Sequence, residues 1–368
     1  MTLPRIVFVD DERRVLLGIE RMLFAMQRDW ETVFADSADA ALRAFDDGDV
    51  DVIVSDMRMP GKDGATLLRE VQLRSPATLR FLLSGHTETT AAMRALEVAH
   101  QFLSKPCEPV QLLSAIDDAL SLRNLLSDAG LRESIGAIEH LPSAPQVYAR
   151  LSKALQDPNT DAREIAAILS KDPVLTAKVL KMANSAYFPN NGRALTDMLM
   201  AVVRLGSSTI RTLVLATEVF SQPVWRADVS QLQQQAMQTS MLAERLAKGR
   251  LDVSSASVAG LLANLGKLFD LSDEFAQRPW GYGEVGAYLL GLWGFPLDVV
   301  HAVAYHQNPA HLARSDFNLL GVTHVANALI CGNPLDEGYL QRCGHLASLE
   351  SWHHLADAIR ANTPAEPA

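Results

Sequence analysis

Three carboxylates, a hydroxyl and an ammonium group stand at the ends of short apolar runs. Asp56 closes Val50-Asp51-Val52-Ile53-Val54-Ser55, Asp10 and Asp11 close Arg5-Ile6-Val7-Phe8-Val9, Ser84 follows a run that starts at Thr78, and Lys105 follows Gln101-Phe102-Leu103-Ser104. In parallel sheets ligands sit beyond the carboxyl ends of the strands, so side chains in these places converge on one site. Hard oxygen donors of this kind suit Mg²⁺, which takes one or two carboxylates together with waters and phosphate oxygens. A lysine beside them can balance a phosphoryl group.

The elements that must position these groups are legible around them. Val50, Val52, Ile53 and Val54 are β-favouring and nearly continuous, as in a strand buried on both faces, and Pro60-Gly61 stops the run. Between Glu12 and Gln27, Val15, Leu16, Ile19, Met22 and Leu23 share one helical face. Residues 31–35 read as a second strand, and Asp36-Ser37 caps a helix that runs to Asp47 and closes at Gly48. Residues 64–74, 87–98 and 108–122 supply three more helices. Five strands alternating with five helices imply a parallel sheet wound on both faces with right-handed crossovers.

With Asp10-Asp11, Asp56, Ser84 and Lys105-Pro106 in this order, residues 1–122 resemble a response-regulator receiver domain. The resemblance implies a flavodoxin-like α/β fold with strand order 2-1-3-4-5. It implies that Asp56 takes a phosphoryl group from the phosphohistidine of a sensor histidine kinase or phosphotransfer protein. Asp11, Asp56 and the main-chain carbonyl of Arg58 would hold Mg²⁺, with Asp10 acting through water. Ser84 and Lys105 would contact the phosphoryl oxygens, and Phe102 falls where the family keeps an aromatic that changes rotamer on activation.

The 368 residues are enough for two or three domains, with 48% hydrophobic and 21% charged residues, ordinary globular values. No stretch approaches a membrane span and no leader pattern opens the chain, which reads as cytoplasmic. Cys107, Cys331 and Cys343 form no Cys-x-x-Cys pair, which argues against disulfides and a zinc knuckle. The net charge is −10; residues 1–122 carry 13 basic against 20 acidic side chains and the rest 20 against 23. Neither part has the cationic footprint of a nucleic-acid binder, which disfavours a DNA-binding output.

From Leu122 to Leu141, Leu122, Leu125, Leu126, Ala129, Ile135, Ile138 and Leu141 recur at helical spacing. This bridge, with 123–140 as the linker proper, has two readings: it carries a signal or pairs with a second copy of itself as a homodimer, or it packs against its own domain. Beyond it the pattern is helical throughout. Asp161-Ala162-Arg163-Glu164 has capping-box spacing, and Asp172-Pro173 places a cap before a proline at the first helical position. Helical patterns follow over 195–205, 207–220, 230–249, 254–270, 282–291, 297–306 and 319–332. Tyr187-Phe188-Pro189-Asn190-Asn191-Gly192-Arg193 is either a recognition loop or a turn with buried aromatics, and Trp280, Trp293 and Trp352 read as core.

Leu141-Pro142-Ser143-Ala144-Pro145, Lys171-Asp172-Pro173-Val174-Leu175-Thr176, Ala183-Asn184-Ser185-Ala186-Tyr187-Phe188 and Ala201-Val202-Val203-Arg204-Leu205-Gly206 resemble an all-α HDOD domain, placed at 141–345. A C-terminal helix and a disordered tail fill 346–368. The resemblance places this domain among relatives of the HD metal-dependent phosphohydrolases, which need clustered His and Asp ligands for metals that activate water. Here their position is Gly260-Leu261-Leu262-Ala263-Asn264-Leu265-Gly266-Lys267; Tyr282 stands where relatives keep a histidine, and His306-Gln307 replaces a His-His pair. His301, His306, His311 and His324 are isolated on helices. The ligand set is too thin for catalysis, leaving Asn264, Lys267 and His306 as a vestigial site that binds a nucleotide without cleaving it or is purely structural.

The resulting expectation is a phosphorylation-controlled protein with a non-catalytic output. It acts on an unknown downstream protein, with a cyclic-dinucleotide signalling enzyme among the candidates. The alternative is a metal-dependent cyclic-dinucleotide phosphodiesterase of HD type.

Overall fold

The computed structural model describes residues 3–26, 28–84, 98–105, 107, 109–122, 129–136, 151, 154–155, 160–184, 194–206, 209–210, 229–268, 281–312 and 316–362. Contacts divide the chain into two compact units. The first is built on a sheet whose strands β1 (Arg5–Val9), β2 (Glu31–Ala35), β3 (Val52–Asp56), β4 (Leu79–Ser84) and β5 (Gln101–Ser104) pair in the order β2-β1-β3-β4-β5. Every pairing is parallel, with Val9 opposite Ser55, Asp56 opposite Leu83 and Ser84 opposite Ser104. This is the flavodoxin-like order expected from the sequence.

Ile6, Phe8, Val52, Ile53, Val54, Phe81 and Leu82 lose all contact with solvent, which is why the central strands read as unbroken apolar runs rather than alternating ones. The helices α1 (Arg13–Ala25), α2 (Ala38–Ala44), α3 (Gly64–Arg74) and α4 (Pro109–Ser121) follow their strands. Ser37 caps α2 by accepting from Ala40 N–H at 3.3 Å, and Asp63 caps α3 by accepting from Thr66 N–H at 2.8 Å. Of the helix expected over 87–98, residues 87–97 lie outside the described residues.

The bridge is described from 129 to 136, as helix α5 (Ala129–Gly136). It packs on its own unit: Ile135 is buried, and the Gly136 carbonyl accepts from Gln72 Nε2 at 3.3 Å and Arg80 Nη2 at 3.1 Å. Leu125, Leu126, Ile138 and Leu141 lie outside the described residues.

The second unit is helical, and no strand occurs in it among the described residues. Asp161 accepts from Glu164 N–H at 2.9 Å to start α6 (Ala162–Leu169), and Asp172 accepts from Val174 and Leu175 N–H to start α7 (Pro173–Ala183). Residues 198–206 are helical as well. The long helix α8 (Val229–Ala247) packs on α9 (Val253–Leu262), and both lie against the buried helix α12 (Leu319–Cys331). Gly260 permits the close approach of α9 to α8, since a Cβ there would meet Ser240 Cα and Thr239 O at 3.0 Å. Helix α12 ends at Gly332, whose φ of 71° is the left-handed C-cap that glycine favours.

Helices α10 (Gly281–Leu292) and α11 (Leu297–Tyr305) precede α12, and α13 (Glu337–Arg342) and α14 (Leu349–Asn362) follow it. The last packs on α8 and α12 and donates from Arg360 Nη1 to Leu329 O at 2.7 Å. Trp352 is buried as expected, Trp293 is half-buried, and Trp280 lies outside the described residues, as do 187–193 and the tail from 363.

The pattern over 254–270 predicts one helix, but the chain breaks after Leu262 and continues as a 3₁₀ turn, Leu265–Leu268. In that turn Gly266 is pressed so closely against the main chain of Tyr282 that a Cβ would fall 2.7 Å from its carbonyl carbon.

Candidate functional site

At the carboxyl edge of the sheet, β1 delivers Asp10, β3 delivers Asp56 and β5 delivers Lys105 to one point. Lys105 Nζ lies 2.5 Å from Asp10 Oδ2 and 2.5 Å from Asp56 Oδ1. The opposite oxygens are held by main chain: Glu12 N–H donates to Asp10 Oδ1 and Arg58 N–H to Asp56 Oδ2, both at 2.9 Å. Each carboxylate is therefore fixed at both oxygens while lone pairs remain free for a further ligand. Asp10 is 1% exposed and Asp56 7%. Burial pulls the Lys105 ammonium down, but its bonds to Asp10 and Asp56 outweigh that and hold its pKa above the usual 10.5.

Asp11 is exposed at the rim beside them. Phe102 is buried in β5 opposite Leu82. Ser84 closes β4, but its side chain lies outside the described residues.

A residue without a role in the sequence reading helps to build this edge. Gly64, at the start of α3, donates its N–H to Met57 O at 3.0 Å, and a Cβ there would lie 3.0 Å from the Asp56 carbonyl carbon and closer still to its oxygen. Glycine after a capping aspartate is a poor helix former, which is the one sequence signal for such a close approach. Gly61, with φ of 82°, makes the turn that brings α3 back over Asp56.

The donor chemistry suits a hard divalent cation, since Asp10 and Asp56 are buried carboxylates and Asp11 follows Asp10 at the exposed rim, although with Lys105 between Asp10 and Asp56 the three acids do not gather as a metal site here.

In the helical unit, Lys267 Nζ sits 4.6 Å from the centre of the Tyr282 ring, and the Tyr282 hydroxyl lies 3.4 Å from His306 Nε2. His306 Nδ1 donates to Val303 O at 2.7 Å, which leaves Nε2 turned to the tyrosine hydroxyl. Burial pushes His306 down to about 4 and also lowers Lys267, while it raises the Tyr282 phenol. Asn264 is buried and donates to Cys331 Sγ at 3.5 Å, while its Oδ1 has no hydrogen-bond partner. It also lines a cavity of about 20 Å³ with Asp172, Leu232, Leu261 and Leu265, room for one or two water molecules. His324 is structural: Nδ1 donates to His306 O at 2.7 Å and Nε2 accepts Asp336 N–H at 3.0 Å. His301 and His311 flank Tyr305 as ring neighbours. Among the described residues no three His, Cys, Asp or Glu side chains gather as a metal site.

An all-parallel sheet of order 2-1-3-4-5 with two acids and a lysine at its carboxyl edge defines the receiver class of signalling domains. Comparison with known proteins agrees: residues 6–117 match the response regulator receiver domain and residues 141–279 match the HDOD domain. The chain is thus a receiver domain followed by an HDOD domain, the layout of a response-regulator signalling protein.

Among curated relatives, it is 28% identical over 221 residues to an uncharacterized protein of Treponema pallidum, covering 52% of this chain and 42% of that protein. It is 30% identical over 122 residues to the hydrogenase transcriptional regulatory protein HoxA of Bradyrhizobium diazoefficiens, covering 33% and 24% respectively. The chain spans less than half the length of either relative. Among solved structures, the signal receiver domain of an HD domain-containing protein from Pseudomonas fluorescens is 29% identical, with a TM-score of 0.32, over 33% of this chain and 98% of that one. The MmoQ response regulator of Methylococcus capsulatus is 22% identical, with a TM-score of 0.44, over 57% of this chain and 97% of that one. No helix among the described residues is long and apolar enough to cross a membrane.

Proposed function

We propose that Asp56 accepts a phosphoryl group from the phosphohistidine of a sensor kinase or phosphotransfer protein, and that the HDOD domain converts this event into a change of binding rather than of catalysis. The observation that carries the reading is the Lys105 ammonium within 2.5 Å of both Asp10 and Asp56.

An oxygen of Asp56 attacks phosphorus, the P–N bond to the imidazole breaks, and the imidazole leaves with the bonding pair and takes up a proton. Arg58 N–H fixes the attacking carboxylate in orientation. Lys105 offsets the added charge of roughly two units, and Ser84 contacts the phosphoryl oxygens. Asp11, Asp56 and the Arg58 carbonyl would hold Mg²⁺, with Asp10 acting through water, and the ion would supply neutralisation of phosphoryl charge. Through Ser84 and Phe102 the new charge biases a two-state surface of the domain.

The non-catalytic reading of the HDOD domain is supported by the cluster at Asn264, Lys267 and His306. A cation sits on the Tyr282 ring, whose hydroxyl is the partner of His306 Nε2, and His324 spends both ring nitrogens on main chain. A divalent ion placed there would meet an ammonium group and too few ligands.

The test is phosphate uptake from acetyl phosphate and Mg²⁺, read by intact mass. We expect one phosphoryl group on the native chain and none on Asp56→Asn. Uptake by Asp56→Asn equal to that of the native chain would refute the assignment.

A further inference from the structure

At the opposite, amino-terminal edge of the sheet a charged side chain is buried where the phosphoacceptor site has no need of it. Arg80 in β4 is 1% exposed. Its five N–H donors are all directed. Nε donates to Val98 O at 2.7 Å, Nη1 to Pro76 O at 3.0 Å and Thr78 O at 3.1 Å, and Nη2 faces His100 Nε2 at 2.9 Å and Gly136 O at 3.1 Å. Burying a guanidinium is expensive unless its hydrogen bonds are complete. Here four of the five are met by carbonyls from three separate parts of the chain, and the fifth faces the His100 ring.

One of those parts is the bridge. Gly136 is the last residue of α5, so its carbonyl is among the groups a helix leaves unsatisfied at its C-terminus, the end that favours a cation. Gln72 Nε2 donates to the same oxygen at 3.3 Å. A Cβ on Gly136 would lie 2.6 Å from the Pro76 carbonyl carbon, so the helix end is seated with no space to spare. The bridge is thus capped from inside the receiver at the residue after which the chain continues toward the HDOD domain.

The knot is tied to the site by two strands. Arg80 N–H donates to His100 Nδ1 at 3.0 Å and His100 N–H to Arg80 O at 2.7 Å. From Arg80, β4 runs to Leu83, paired with Asp56, and on to Ser84; from His100, β5 runs to Ser104, next to Lys105. His100 also meets two donors, the Arg80 main-chain N–H and Nη2. A neutral imidazole accepts at only one nitrogen, so one donor is served at the expense of the other. A small displacement of β4 against β5 therefore changes which of the two donors the ring accepts, and with it the hold on Nη2, whose other N–H caps Gly136.

We propose that Arg80 is the latch of the bridge: it caps α5 from within the receiver, and through β4 and β5 it passes the state of the Asp56 site to the chain leaving at Gly136. This rests on the reading of Asp56 as phosphoacceptor.

The test is hydrogen–deuterium exchange on the full chain, following peptides over 52–64 and 129–136, with and without beryllium fluoride and Mg²⁺ as a phosphoryl mimic. In the native chain, the mimic slows exchange over 52–64 and changes it over 129–136. Arg80→Gln speeds exchange over 129–136 at least tenfold and abolishes the response there while leaving protection over 52–64. Gly136→Ala, which leaves the buried arginine in place, does the same to 129–136 and guards against misfolding of the first variant. Exchange over 129–136 that is unaltered in both variants, or a response to the mimic that persists in them, overturns the latch. Absence of protection over 52–64 in the native chain overturns the phosphoacceptor reading instead, and with it the transmission, while the variants without mimic still decide the cap.

Discussion

Replacing Gly64 by alanine tests whether the Asp56 site depends on the seating of α3. The new Cβ would lie 2.8 Å from Leu82 Cδ1, 3.0 Å from the Asp56 carbonyl carbon and nearer to the carbonyl oxygen. The leucine can rotate away, but the oxygen belongs to the buried strand β3 and cannot. The start of α3 must therefore retreat by about 1 Å, an overpacking that costs roughly 1–3 kcal/mol. The retreat also stretches the bond from Gly64 N–H to Met57 O, worth about 1 kcal/mol. Against this, alanine reduces the freedom of the unfolded chain, a gain of up to about 1 kcal/mol. The net expectation is a loss of about 1–3 kcal/mol in the receiver, read by urea unfolding with hydrogen exchange over 52–56. Slower phosphate uptake from acetyl phosphate accompanies it, because Asp56 shifts relative to Lys105. Stability within about 0.5 kcal/mol of the native chain, together with unchanged uptake, would refute the argument.

Lys105→Gln leaves Asp10 and Asp56 without their shared cation, so the receiver loses about 2 kcal/mol or more at pH 7; an unchanged urea midpoint would refute this. His306 titrates near 4 in the fold against an ordinary 6.5, so between those values the unfolded chain binds more protons and stability rises with pH. Acidification from pH 7 to 4 should remove roughly 3 kcal/mol from the helical unit through this group, and His306→Gln should flatten the slope; an unchanged slope refutes the assignment. Asn264→Leu replaces a buried amide whose Oδ1 has no partner by an apolar side chain of similar size, so the thermal midpoint should stay level or rise; a loss of several degrees would show that the amide is needed.

The receiver was legible in the sequence because its determinants are local. A strand buried on both faces must be apolar throughout, and the end of that run is marked by the polar residue that follows it, so Val52 to Asp56 and the strands around it announce both the sheet and the residues at its edge. Caps are equally local, since Asp63, Asp161 and Asp172 each serve N–H groups two or three residues away.

What the tertiary structure decided is what depends on two distant backbones meeting. Gly64 against Asp56, Gly266 against Tyr282 and Gly136 against Pro76 are close approaches that leave no periodicity, only a missing side chain. The same holds for Arg80, which reads as a polar residue breaking a strand pattern until its acceptors arrive from 76, 78, 98 and 136. Composition and spacing fix which residues can be buried or can carry charge. Which carbonyls, nitrogens and rings surround a buried charge is set only when the chain closes on itself, because a hydrogen bond selects its partner by position within a few tenths of an ångström and not by distance along the sequence.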